Sequence, residues 1–154
     1  MSKIKQAKSL FSEGYLCSQS IMITYAPRFG LKPEMAAKIG APFGGGIARR
    51  GDICGAVNGA LLVLGLKYGH LSPDDLETKE EVYRKVEEFI SDFQERHGSI
   101  RCKELLDIDI STSQGLQSAY DQQLFTTRCP GFVGDAVEIL DQLMGDDQDH
   151  LQSE

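Results

Sequence analysis

The 154-residue chain predicts an all-α fold: a single helical domain of about five to seven helices packed around a central glycine-rich helix. Three observations carry this. No segment sustains the alternation of apolar and polar residues that a half-buried strand needs. Apolar residues recur instead at three- and four-residue intervals. Glycine and proline fall between those periodic runs, where helices must stop. A hydrophobic content of 41% is enough for one core, and no composition shift divides the chain.

The first helix spans Lys3 to Ser12, with Ile4, Ala7, Leu10 and Phe11 on one face, and Gly14 stops it. A second runs from about Cys17 to Tyr25, with Pro27 just beyond. Pro33 suits the first turn of a short third helix ending near Ile39. Residues 40–51 are too rich in glycine and proline for a regular element and read as a loop. Asp52 is the expected cap of the next helix, which carries Ala60, Leu61 and Leu64 to about Tyr68. It is apolar on nearly every side and belongs at the centre. Thr78 to about His97 alternates Val82, Val86, Phe89, Ile90 and Phe93 with charges and is the longest amphipathic helix. Ser99 is a candidate cap for a short helix over residues 100–106, and Asp107 to Thr127 reads as mostly loop. The last helix starts at Cys129-Pro130 and reaches Met144; the acidic residues 146–154 are expected to fray.

A net charge of −7 disfavours nucleic acid or an anionic membrane surface as partner. The most apolar run, Ala56 to Leu66, is interrupted by Asn58, Gly59 and Gly65 and is far short of the ~20 residues that span a bilayer. The amphipathic first residues lack the apolar stretch and small-residue site of a cleavable leader, so the expected location is cytoplasmic. In a reducing compartment four cysteines are inert, metal-bound or catalytic rather than disulfide staples.

Those cysteines, Cys17, Cys54, Cys102 and Cys129, are separated by 36, 47 and 26 residues. No Cys-x-x-Cys pair exists, which excludes a zinc ribbon, a thioredoxin-type motif and a Cys-x-x-Cys-His haem site. Each cysteine falls in or just before a first helical turn. Unpaired amides and the helix dipole there favour a thiolate, and Arg49, Arg50, Arg101, Lys103 and Arg128 lie close in sequence and would act in the same direction. A thiolate is both a nucleophile and a ligand for soft metals. Against this stands the ordinary behaviour of free cysteine as a small buried hydrophobe.

Gly51, Gly55 and Gly59 recur every four residues beside Cys54. Their missing side chains make room either for a cofactor, substrate or reacting sulfur, with Gly55 and Gly59 as candidate cofactor-binding positions, or for close approach of another helix. Phe43-Gly44-Gly45-Gly46 could cradle an anion, but it lacks a P-loop ending and no strand precedes it. His70, His97 and His150 form no ligand pairing, and no hydrolase constellation stands out.

Gly14-Tyr15-Leu16-Cys17, Phe43-Gly44-Gly45-Gly46, Cys54-Gly55-Ala56-Val57-Asn58-Gly59-Ala60 and the single Cys102 and Cys129 together resemble the C_GCAxxG_C_C family of redox-active proteins. The family label reads Gly-Cys-Ala where this chain has Cys54 before Gly55. The resemblance implies a small protein whose four cysteines are redox-active. The chain is also similar to the non-haem part of split-Soret cytochromes, a likeness that implies cysteines holding an iron–sulfur centre, without their haem sites.

Three functions are therefore expected to compete. In the first, the cysteines cycle between dithiol and disulfide and pass electrons to or from a redox partner whose identity is unknown. In the second, the four thiolates hold a [2Fe–2S] cluster or, as a lesser alternative, zinc. In the third, the protein is a helical interaction module with structural cysteines. The apolar face of the Thr78 to His97 helix is compatible with a homodimer or with its own core.

Overall fold

Nine α-helical segments succeed one another in the computed structural model, which describes residues 2–145. Met1 and the acidic tail expected to fray, residues 146–154, lie outside the described residues. Helix α1 (Lys3–Ser12) is capped by the Ser2 hydroxyl, which accepts from the Lys5 amide at 3.2 Å, and the chain turns at Gly14 with φ of 110°. Helix α2 (Cys17–Tyr25) passes through the centre, and α3 (Pro33–Gly40) lies against it.

Helix α2 buries Ser18, Ser20 and Thr24 along with its apolar residues, and none of those hydroxyls is left unpaired. Ser18 Oγ donates to the Gly40 carbonyl at 2.6 Å, while Ser20 and Thr24 donate to carbonyls four residues back at 2.8 and 2.7 Å. These small side chains allow α4 (Gly55–Tyr68) to approach closely. A Cβ on Gly59 would meet the Ser18 carbonyl oxygen at 3.0 Å and Ile21 Cβ at 3.2 Å, so the glycine face is packed by α2.

Around this pair, α1 packs on α9 (Cys129–Met144), and α5 (Leu76–His97) packs on both α4 and α9. Phe89 and Phe93 are fully buried between them. Helix α5 is capped by the Asp75 carboxylate, which accepts from the Thr78 amide at 3.1 Å, and ends on left-handed Gly98.

Three sequence expectations change. Ser99 is not the cap of the short helix after it: Arg101 holds that position, and Ser99 Oγ accepts from the Arg101 amide at 2.9 Å and donates to Glu104 at 2.6 Å. The residues 107–127 read as mostly loop hold α7 (Ser113–Asp121) and α8 (Leu124–Thr127), after α6 (Cys102–Leu106). Helix α7 starts on a Thr112 cap that accepts from the Gly115 amide at 2.9 Å, and Leu116, Ala119 and Tyr120 recur at helical spacing. The segment is short and otherwise polar, which masks the pattern. Asp52 is not the cap of α4: Cys54 occupies that position, and the Asp52 carboxylate pairs with Arg50 at 3.0 Å and Arg101 at 3.5 Å. Among the described residues there is no strand, only an isolated antiparallel bridge between Ile53 and Arg101. The all-α expectation holds.

Candidate functional site

That bridge organises the site. The Cys54 amide donates to the Ile100 carbonyl at 2.8 Å, and the Cys102 amide donates to the Asp52 carbonyl at 2.7 Å. The start of α4 is thereby tied to the start of α6. Cys17, Cys102 and Cys129 are each the first residue of a helix, and Cys54 is the cap of a fourth. All four cysteines line one cavity of about 480 Å³. Its walls come from α1, α6, α7 and α8, through side chains such as Phe11, Leu105, Leu116, Tyr120 and Phe125.

Before α4 the glycine loop does something the sequence does not announce. Gly45, Gly46, Ile47, Ala48 and Arg49 have φ of 66°, 68°, 66°, 50° and 65°, a run of left-handed backbone. Each of the three non-glycine residues carries a conformational cost of about 1–2 kcal/mol. Glycine is required at the first two positions for space as well. A Cβ on Gly46 would lie 2.6 Å from the Asp52 amide nitrogen and 2.8 Å from Cys102 Cβ. A Cβ on Gly45 would lie 2.9 Å from Arg49 Cα. The turn directs the Gly45 N–H at Cys17 Sγ and sets Arg49 on the cavity wall.

Cys17 and Cys54 form a hydrogen-bonded pair in which the Cys54 thiol donates to the Cys17 sulfur. That donor lowers the Cys17 pKa. Burial opposes it, and the amides of Ser18, Gly45 and Cys17 itself add to it. Cys54 moves the other way: the bond it donates, its burial and the charge on Cys17 all hold it protonated, although the Ala56 and Val57 amides face its sulfur. Burial, followed by the charge on Cys17, pushes the Cys102 thiol up to about 12. Cys129 is also pushed up to about 12, by burial and then by the charges on Cys17 and Cys102.

The expectation that helix starts and nearby cations make all four cysteines acidic is thus corrected for three of them. Four of the five cations are engaged elsewhere. Arg50 and Arg101 pair with Asp52, Lys103 reaches Asp109 at 3.9 Å, and Arg128 donates to the Leu105 carbonyl at 3.3 Å. Only Arg49 of the five lines the cavity.

Gly55 lines the cavity too, and a Cβ there would overlap Cys17 Sγ and lie 3.0 Å from the Phe43 carbonyl oxygen. The missing side chain at Gly55 makes room for sulfur, whereas that at Gly59 admits α2. The cluster and zinc alternatives can be tested on the donor set. Among the described residues no group of three or more cysteine, histidine or carboxylate side chains is arranged to hold a metal ion. The sulfurs as placed do not form a cluster or zinc cage.

A hydrogen-bonded cysteine pair in a cavity that two further cysteines share, set among helix starts, defines the class: an all-helical cysteine protein. A family model described as "Putative redox-active protein (C_GCAxxG_C_C)" matches residues 15–143, and the chain belongs to that family. No curated protein and no solved structure matches it. No helix among the described residues is long and apolar enough to cross a membrane.

Proposed function

We propose that the protein is a dithiol oxidoreductase in which Cys17 is the nucleophile and Cys54 the resolving thiol. The supporting observation is the Cys54-to-Cys17 hydrogen bond, which lowers the pKa of one sulfur and raises that of its neighbour at the same cavity. The Cys17 thiolate attacks one sulfur of a substrate disulfide, forming a mixed disulfide and releasing a thiolate that takes up a proton. Cys54 then loses its proton and attacks Cys17 Sγ. The mixed bond breaks, the Cys17–Cys54 disulfide forms, and the second substrate thiol leaves protonated. The cysteine pair has given up two electrons and the one proton of Cys54 to the substrate disulfide, and the first substrate thiolate takes its proton from solvent. Cys102 and Cys129 complete the site as protonated thiols through which the disulfide can be passed on. Gly55 supplies the space for the attacking sulfur; no cofactor role is needed for Gly55 or Gly59.

The test is diamide oxidation of the reduced protein, followed by alkylation and peptide mass mapping. The expected product is a Cys17–Cys54 linkage that dithiothreitol reverses, with Cys17 the first thiol alkylated before oxidation. Four free thiols after oxidation, all resistant to alkylation in the folded state, would leave the cysteines structural and overturn the reading.

A further inference from the structure

The reactive pair lines the cavity. Cys54 is 6% exposed and Cys17 is half-buried. The space in front of them, about 480 Å³, falls in the range of pockets that enclose a small molecule, ~300–1,000 Å³. The walls are aliphatic and aromatic: Leu105 and Leu106 come from α6, Leu116 and Tyr120 from α7, and Phe125 from α8. Tyr120 and Phe125 meet edge to face with ring centroids 4.9 Å apart. Among the charged side chains of the wall there is one cation, Arg49. It is exposed, it makes no ion pair among the described residues, and the left-handed turn holds it. The acidic side chains near it in sequence do not compete, because Asp52 is taken by Arg50 and Arg101.

Resting on the dithiol reading above, we propose that the substrate of this site is a small aryl or alkyl disulfide bearing a carboxylate, seated in the cavity with its apolar body against α6–α8 and its carboxylate on Arg49. The apolar walls favour the body by removing its surface from water. The guanidinium orients the acid end through paired N–H donors. The disulfide sulfur is then presented to Cys17, and the exchange is the balanced one already given: the dithiol becomes the Cys17–Cys54 disulfide and the substrate leaves as two thiols.

The experiment compares three probes on the reduced protein, with Cys17 modification followed by mass spectrometry. The probes are 5,5′-dithiobis(2-nitrobenzoate), its neutral dimethyl ester, and methyl methanethiosulfonate, which is small enough to need no pocket. Arg49→Gln is expected to lower the ratio of the acid's rate to the ester's by about fivefold. Leu116→Trp, which fills the wall, is expected to lower the ratio of the aryl disulfide's rate to that of methyl methanethiosulfonate by about tenfold. Using ratios cancels any change in the thiol itself. Unaltered ratios in both variants would overturn the substrate assignment while leaving the dithiol reading intact. Failure of methyl methanethiosulfonate to modify Cys17 in the native chain would overturn the dithiol reading itself. Circular dichroism of each variant, and the ester's rate on Arg49→Gln, separate a misfolded chain from an altered pocket.

Discussion

Cys17 and Cys102 occupy the same local position, the first residue of an α-helix, and face the same cavity, yet their acidities move in opposite directions. The comparison extends to the two halves of the site. On the α2–α4 side a sulfur receives a thiol proton donor and three backbone N–H groups. On the α6–α9 side two sulfurs receive none that offset their burial, and both are pushed up to about 12. A helix start is thus not sufficient to make a thiolate. What matters is whether donors point at the sulfur, since burial alone acts against the charge. Here the donors come from Cys54, from the first turn of α2 and from a left-handed turn that exists at some conformational cost.

The largest effect should come from Gly55→Ala. The added methyl overlaps Cys17 Sγ and presses on the Phe43 carbonyl, so the α2–α4 side must shift. A loss of about 1–3 kcal/mol in urea-unfolding stability is expected, together with slower alkylation of Cys17. Retention of both would mean that the two helices are not held at this spacing.

Next comes Cys54→Ala, which removes the principal donor to Cys17. Iodoacetamide modification of Cys17 near neutral pH should slow by roughly threefold for each unit by which its pKa rises above the assay pH, because the tenfold loss of thiolate is partly offset by greater nucleophilicity. Cys102→Ala removes no donor from Cys17 and should leave that rate nearly unchanged. Equal slowing in both variants would erase the distinction between the two sides.

Cys17 and the other three cysteines also predict opposite linkage to pH, since Cys54 is raised along with Cys102 and Cys129. Cys102 and Cys129 ionise in the unfolded chain near ~8.5 but in the folded chain only at about 12, so the unfolded state sheds protons first. Their contribution to stability is intact below the unfolded value and is lost as pH rises from there towards 12. Cys17, whose folded pKa is lowered, contributes the reverse: stability gained as pH rises through its folded value. Urea midpoints measured between neutral and strongly alkaline pH should fall, and Cys102→Ala with Cys129→Ala should flatten the decline.

The smallest effect concerns the turn that serves only one side. Ala48 is exposed with φ of 50°, and Ala48→Gly should stabilise the protein by about 0.5–1 kcal/mol, because relief of the left-handed cost exceeds the added chain entropy. Urea unfolding measures it, and a loss of stability would show that the turn is not strained there.

Much of this architecture is legible in the sequence because it rests on local signals. The bounds of α1, α2 and α9 follow from apolar spacing and from Gly14, Pro27 and Pro130, and the four cysteines fall at helix starts as their flanking residues indicate. What is not legible depends on contacts between distant segments. Nothing in Ile47-Ala48-Arg49 marks a left-handed run, since none of these residues prefers it; it is fixed by the close packing of Gly46 on Asp52 and Cys102. Helix α7 is hidden by polar composition although Leu116, Ala119 and Tyr120 have the right spacing, and with it goes the cavity's far wall. The acidity of the cysteines is hidden for the same reason: Arg50, Arg101, Lys103 and Arg128 lie beside them in sequence but are engaged with Asp52, Asp109 and the Leu105 carbonyl in the fold.

One sulfur of the four, Cys17, has its pKa lowered because its neighbour Cys54 donates to it. Titration of thiolate ultraviolet absorbance, in the native chain and in each single Cys→Ala variant, tests it most directly. One thiol should ionise below the ordinary cysteine range, absent in Cys17→Ala and shifted upward in Cys54→Ala, with the Cys102 and Cys129 variants retaining it. A low-pH ionisation that survives Cys17→Ala, or the absence of any such ionisation in the native chain, would contradict it.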